Sequence, residues 1–322
     1  MRTDLNRIDV HHHALPAALR AILDRRSLTS GGWPLPAWSP ERSLSAMDKQ
    51  GIWRAVLSIS APGVHFGDPV DAADLARTVN DELADVAAES GGRLGFFAAV
   101  PLPDVDRALA EAVRALDDLG ADGIGVLANS HGQYISDPAV RPLLDELDRR
   151  HTTIFVHPNE LPGGYLPGLP APVADFTLDT TRAAFGLVRA GTMRELPHLR
   201  IILSHAGGVV PFLAHRFVQT ISTEVDPTAD PDALLADLQR FYLDTALAAS
   251  PTSLPAVCAF ARPDHVLFGS DIPFASERMS HWFTGQLDAF TADDELRAQQ
   301  IAHGNAAGVL PKLDRLTPAA ST

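Results

Sequence analysis

Eight short apolar runs recur along the chain, separated by longer amphipathic stretches, and no other feature narrows the fold as far. The runs are Arg7–His12, Arg54–Ser60, Leu94–Val100, Gly123–Leu127, Thr153–His157, Ile201–His205, Phe241–Thr245 and Val266–Gly269. They are near-continuous in Val, Ile, Leu and Phe rather than alternating, which is the pattern of parallel strands covered on both faces. Between them, Pro69–Ser90, Asp104–Leu119, Pro138–Arg150 and Thr177–Leu196 carry apolar residues at helical spacing. Asp104 is suited to cap its helix, while Gly120 and Pro197 mark helix ends. Strand and helix alternating eight times predict an α/β fold, a (β/α)8 TIM barrel, and 322 residues suit one such domain spanning 1–322. A doubly wound open sheet would need a Gly-rich phosphate turn after its first strand. The sequence there is His11-His12-His13-Ala14-Leu15-Pro16.

Two insertions interrupt the rhythm: Ser27–Pro40, rich in Pro, Gly and Trp, and a Pro/Gly-rich stretch at about 158–176. They follow strands one and five, so both are expected over the C-terminal mouth, where barrels build their sites. Ser222–Pro231 reads as a polar loop and the segment after Leu310 as a loose terminus. The net charge of −14, without a Lys/Arg cluster, argues against a nucleic-acid partner, which needs a positive face. No apolar run is long enough to span a bilayer, and no charged segment followed by an apolar one opens the chain. A soluble, cytoplasmic protein without membrane contact is the expectation. The single cysteine, Cys258, lies in an apolar helical stretch and reads as a buried structural thiol.

The strand ends carry the chemistry. Strand one ends Asp9-Val10-His11-His12-His13, and alternation sends His11 and His13 together into the barrel and His12 outward. Strand five ends on His157, strand six on His205 and strand eight leads to Asp271, all at one rim. A lone histidine at a strand end is ordinarily a hydrogen-bonded structural residue. The combination is what points to a metal, because imidazole and carboxylate are the donors that zinc-like ions take, with a position left open for catalysis. The residue types alone do not say which histidine is catalytic.

Asp-Val-His-His-His, Val-His-Pro, Leu-Ser-His-Ala-Gly-Gly and Phe-Gly-Ser-Asp-Ile-Pro together resemble the amidohydrolase superfamily. Within it they resemble the branch of aminocarboxymuconate-semialdehyde decarboxylase and the salicylate-type and 6-methylsalicylate-type aromatic acid decarboxylases. The similarity runs from Ile8 to about Leu310 and includes Ala46-Met47-Asp48-Lys49-Gln50-Gly51-Ile52. The resemblance implies that His11, His13, His157 and Asp271 hold one divalent metal, Zn2+ first and Mn2+ as the alternative. It makes His205 an unligated or weakly ligated acid/base and gives Asp271 a share in proton handling. Binuclear relatives often bridge their metals through a carbamylated lysine. This chain has only Lys49, before strand two, and Lys312, in the tail, so a single metal is expected.

Two reactions fit such a site. An ortho-hydroxy aromatic carboxylic acid can chelate the metal and lose carbon dioxide after protonation of the ring. Alternatively, a metal-bound hydroxide can attack a lactone, ester or amide. The branch resemblance implies the decarboxylase; a hydratase and a non-catalytic barrel are the remaining readings. Trp33, Pro34, Leu35 and Trp38 in the first insertion, with Phe274 after Asp271, suit an aromatic pocket, although Trp38 reads equally as helix-packing core. The muconate decarboxylases carry a carboxylate-binding arginine in that insertion. None lies between Ser27 and Pro40, which favours a less charged, salicylate-like acid. The spacing of Arg216 from His205 resembles that of a family arginine entering the neighbouring subunit's site, which would make the protein a homodimer or larger. Read alone, Arg216 is a solvated helical residue. Asn159 and Glu160 are candidates to support His157, and Asn159 also to touch substrate. Asp244 reads as orienting a helix N-terminus, and Glu277 as lining the mouth.

Overall fold

The computed structural model describes residues 2–310 and 312. The eight apolar runs form eight parallel strands: β1 (Arg7–His13), β2 (Ile52–Ser58), β3 (Leu94–Ala99), β4 (Gly123–Leu127), β5 (Thr153–His157), β6 (Arg200–Leu203), β7 (Tyr242–Asp244) and β8 (Val266–Leu267). Each pairs with its neighbour in sequence. The last returns to the first: Val10 N–H donates to Phe268 O (3.0 Å), Asp271 N–H to His11 O (2.8 Å) and His13 N–H to Ile272 O (2.7 Å). The sheet therefore closes as a barrel, as the strand–helix alternation predicts.

Closure explains the lack of alternation in the apolar runs. Ile8, Val10, Val56, Phe97, Phe155, Ile202 and Leu267 fill the interior. Leu57, Phe96, Ile124, Ile154 and Ile201 face the helical layer. Both faces of a strand are thus withdrawn from water, and every residue of β1, β3 and β5 is buried. The N-terminal end of the barrel holds structural charges. Arg7, fully buried, pairs with Asp288 at 2.5 Å, and Arg54 pairs with Asp122 at 3.0 Å. Ala306, Val309 and Leu310 pack under the same end.

Helices start where capping side chains allow. Asp68 accepts from Val70 and Asp71 N–H ahead of Pro69–Glu89, and Asp104 from Arg107 N–H ahead of Val105–Asp117. Several expected boundaries move. The stretch 138–150 splits into a 3-10 turn, Pro138–Val140, and a helix, Arg141–Arg149. The helix expected over Thr177–Leu196 begins at Asp175 and stops at Arg189, with left-handed Gly191 (φ 75°) before a single turn, Thr192–Glu195. The stretch expected as a polar loop from Ser222 begins instead as a π-helical turn, Ile221–Val225. A small hairpin, Asn129–Ser130 with Gln133–Tyr134, extends beyond β4. Cys258 is half-buried rather than buried, on the helix Ser253–Phe260. Among the described residues no helix is long and apolar enough to cross a membrane. The expectation for the segment after Leu310 falls, apart from residue 312, outside the described residues.

Candidate metal centre

A register shift of β1 against β2 between Asp9 and His12 turns His11 and His13, opposite in parity to the interior Ile8 and Val10, to one point inside the mouth, where their Nε2 atoms are 3.0 Å apart. Asp271 brings Oδ1 to 3.1 Å from His13 Nε2 and 3.4 Å from His11 Nε2. The His157 ring centroid is 4.8 Å from that of His13, and the His205 centroid 4.8 Å from that of His11. All five side chains are buried.

What turns the rings inward is the partner each finds for Nδ1. His11 Nδ1 donates to Asp244 Oδ2 (2.9 Å), His157 Nδ1 to Pro158 O (2.7 Å) and His205 Nδ1 to Ala246 O (3.0 Å). His13 Nδ1 lies 3.3 Å from Ser58 O and 3.0 Å from Ser58 Oγ. With the N–H on Nδ1, each imidazole presents the lone pair of Nε2 to the centre, the tautomer of a metal-binding histidine whose other nitrogen is anchored. Lone pairs and a carboxylate converging on one buried point repel one another, and positive charge there, a proton or a metal ion, removes the repulsion. Two overlapping triads, His11–His157–His205 and His11–His13–Asp271, each keep their ligand atoms within 4.8 Å. The donor set therefore fits one divalent metal ion.

The protonation equilibria agree with that fit. Burial, then neighbouring imidazoles, holds His157 well below the usual histidine range, and burial lowers His13 and His205 as well. Burial would also depress His11, but Asp244 and Asp271 outweigh it and raise the group to about 10. Burial alone would raise Asp271, yet its bonds to His11 and His13 hold it well below the carboxylate range. Without an ion, a proton on His11 thus supplies positive charge at the centre, and a bound metal ion would displace it.

Sequence reasoning missed two carboxylates beneath this layer. Asp244, fully buried, holds more than His11: its Oδ1 accepts from the backbone N–H of His205 (3.0 Å) and of Ala246 (2.9 Å). It was expected to orient a helix N-terminus. Asp9 Oδ1 accepts from His11 N–H (3.1 Å) and Ser270 N–H (3.0 Å), and its Oδ2 from Ser270 Oγ (2.5 Å) and His12 Nδ1 (3.0 Å). The available signals were an Asp two residues ahead of His11 and an Asp closing the strand beside β6. His205 does not end a strand. β6 stops at Leu203, and His205, Ala206, Gly207 and Gly208 all have positive φ, as does Asp271 (φ 59°). Such backbone costs about 1–3 kcal/mol at each non-glycine residue, and the Asp244 bonds hold it in place.

Above the centre lies a cavity of about 290 Å³ reached by His157, His205 and Asp271. Its walls are Trp33, Phe176, Leu247, Phe274, Met279 and Phe283; its other polar residues are Ser30, Ser60 and Thr177, and among the described residues no Arg or Lys lines it. Both insertions contribute, the first through Ser30 and Trp33, the second through Pro172, Val173 and Phe176. Phe274 stands edge-on to His13 with ring centroids 5.3 Å apart.

The other candidates divide. Trp33 is at the rim, 37% exposed, and Phe274 is in the wall. Asn159 is elsewhere: it donates to Asp179 Oδ2 (2.8 Å) and Asn129 O (3.2 Å) and, with Glu160, lines a separate cavity over β2–β4. Neither supports the His157 ring, because its Nδ1 is taken by the adjacent Pro158 carbonyl. Arg216 is exposed on the helix Val210–Thr220 and lines neither cavity. Glu277 pairs with Lys49 at 2.8 Å on the surface, which also removes Lys49 from the centre. Trp38 donates to Ser43 Oγ (3.0 Å) and packs on the core. His12 faces away from the barrel axis as expected, yet it is fully buried and bonded to Asp9 and Ser43.

The amidohydrolase family model matches residues 8–312. The decarboxylase macB of Penicillium terrestre is 36% identical over 324 residues, which cover 96% of this chain and 96% of that protein. The 6-methylsalicylic acid decarboxylase of Penicillium expansum is 36% identical over 315 residues, 95% of this chain and 97% of that protein. A solved 2,6-dihydroxybenzoate decarboxylase, complexed with 2,6-dihydroxybenzoate, superposes with a TM-score of 0.79 at 26% identity, covering 95% of this chain and 99% of the other.

Proposed function

This chain belongs to the amidohydrolase family, and on that premise we propose that it is a metal-dependent, non-oxidative decarboxylase of a small ortho-hydroxybenzoic acid. The observation that carries the reading is the pairing of a His/Asp cation centre with an apolar, ring-sized cavity that, among the described residues, contains no Arg or Lys. An apolar cavity of roughly 150 Å³ is enough to hold benzene, so about 290 Å³ leaves room for a substituted ring. An acid entering it meets no Arg or Lys, so its carboxylate and phenolic oxygen find compensating charge only at the centre.

In this account His11, His13, His157 and Asp271 hold one divalent ion, zinc in the first instance and manganese as the alternative. Bound there, it would neutralise the oxygen charge of the chelating substrate as the ring is protonated. His205 offers only Nε2 to the cavity, since Nδ1 is tied to Ala246 O. On binding, His205 Nε2, or Asp271, would take the proton of the substrate's phenolic hydroxyl and return it to the ring carbon bearing the carboxylate, the phenolate oxygen regaining a proton from water as product leaves. The carbon–carboxylate bond then breaks, its electron pair restores the aromatic ring, and carbon dioxide departs. Phe274, Phe176 and Phe283 exclude water and hold the ring face. The whole chain acts as one barrel domain, in a cytoplasmic homodimer. Arg216 lies one turn beyond Phe212, an 83% exposed aromatic on the same helix, and that pair is the surface we assign to the second subunit. If Arg216 reaches the partner's substrate, Arg216→Ala raises KM with little change in kcat; unchanged kinetics would remove it from the site.

A panel of ortho-hydroxybenzoates, run beside a panel of lactones and esters, tests the class. Carbon dioxide release from the first without turnover of the second is expected. Turnover of the lactones or esters alone would make the protein a hydrolase.

A further inference from the structure

The mouth of the barrel holds a second, larger cavity of about 560 Å³ that the chemistry above leaves unused. Its floor is apolar, formed by Ile59, Phe97, Val100, Val126 and Leu127. It adjoins the metal-side cavity: Ile59 lines one and its neighbour Ser60 the other. At its rim two imidazoles meet, with His131 Nε2 2.9 Å from His65 Nδ1.

Their hydrogen bonds define which nitrogens carry protons. Gly67 N–H donates to His65 Nδ1 (3.3 Å), so that nitrogen is an acceptor. His131 Nε2 faces both it and His65 O (3.3 Å), so that nitrogen is the donor. Burial, then the neighbouring His131, also holds His65 below the usual imidazole range. What remains is one free donor, His65 Nε2–H, and one free acceptor, His131 Nδ1, neither with a protein partner among the described residues. The charged lining residues, Arg26 and Glu160, balance, and Arg26 is already engaged with Phe66 O at 3.0 Å. An apolar floor, a balanced rim and an imidazole nitrogen free to bond one hydroxyl match a neutral ring bearing a single hydroxyl. They offer an anion no net positive charge.

We propose that this cavity is a second binding site for a neutral phenol, its ring over Phe97 and Leu127 and its hydroxyl at the His65–His131 rim. The identification of that phenol as the enzyme's own product rests on the decarboxylase reading, since loss of carbon dioxide turns an anionic hydroxybenzoate into a neutral phenol. Decarboxylation would then populate a site beside the one where the product forms, and inhibition by product would include a component that substrate does not relieve.

Gly125 provides the handle. A Cβ there meets nothing closer than Phe97 Cβ at 3.4 Å, so a longer side chain can enter the cavity. The experiment titrates 3-methylphenol into the metal-loaded protein by calorimetry. Two equivalents are expected for wild type and one for Gly125→Leu. The rim variant His65→Ala/His131→Ala, which changes one half-buried and one exposed side chain, is expected to weaken the second equivalent about tenfold, and it reads the site even if Gly125→Leu does not fold. Benzoate should not compete for the Gly125-sensitive equivalent. A single equivalent in wild type, two undiminished equivalents in Gly125→Leu or the rim variant, or equal competition by benzoate would overturn the proposal. Decarboxylation of 6-methylsalicylate is assayed on the same preparations. Absent turnover with Gly125-sensitive binding sinks only the decarboxylase reading; turnover without such binding sinks only this one.

Discussion

Asp244 joins three parts of the centre: the ring of His11, the backbone N–H of His205 and that of Ala246. Asp244→Asn keeps the shape but loses the charge that favours a cation beside His11. Metal affinity should fall roughly 10- to 100-fold, the usual effect of removing such a partner. Retention of metal against graded chelator measures it, and unchanged retention would mean that β1 alone holds His11. His205 calls for a different readout. His205→Asn should lower kcat by roughly 10²- to 10⁴-fold with metal content intact, as expected for a proton-transfer group. Loss of metal along with activity would place His205 among the ligands, which its triad with His11 and His157 also allows. His11, His13, His157 and Asp271 were legible in the sequence because alternation along a strand and position at its end already put them at one rim. Asp9 and Asp244 were not, because a buried aspartate that anchors a ring has no local pattern of its own. Its role depends on which strand lies beside it.

The turn after β6 is the element on which the candidate chemistry most depends. Four consecutive residues, His205 to Gly208, have left-handed backbone. Gly208 is required there on two counts: its φ is +65°, and a Cβ would lie 1.9 Å from Thr177 O in the helix Asp175–Arg189. Gly208→Ala should therefore destabilise by about 1–3 kcal/mol or more through overpacking and shift His205. Thermal unfolding and kcat should fall together. Gly67 is the control, since its φ is +115° but nothing lies within 4 Å of its Cβ position; Gly67→Ala should cost less and leave kcat alone. Equal effects at the two positions would contradict this account. The sequence reading ran strand six through His205 because an apolar run does not show where its last residues leave the sheet. That point is set by acceptors on other elements, here Asp244. The splits at Pro138–Val140 and at Gly191 have a similar origin, in turns whose conformation the helical periodicity passes over.

For the molecule as a whole, charge separates along the barrel axis. Arg7–Asp288 and Arg54–Asp122 are paired at the N-terminal end, whereas the C-terminal end gathers unpaired donor atoms. A barrel whose mouth converges lone pairs is stabilised by the ion that fills it. At a free metal concentration about 100 times Kd the gain is about 2.7 kcal/mol, so chelation should lower Tm by roughly 4 °C. A Tm indifferent to chelator would mean that no ion binds the native state preferentially. The barrel itself was legible from periodicity alone, because strands buried on both faces have few other homes. The division of its mouth into a metal-side cavity and a second one was not, since Asn159 and Glu160 follow His157 in sequence yet line the other space.

The most direct test uses 6-methylsalicylate labelled with carbon-13 at the carboxylate, incubated with metal-loaded enzyme and followed by NMR. A rising carbon dioxide–bicarbonate signal matched by 3-methylphenol is expected, abolished by chelation and restored by returning the metal. An enzyme holding stoichiometric metal that leaves the label in place across ortho-hydroxybenzoates, or one that releases it equally well without metal, would contradict it.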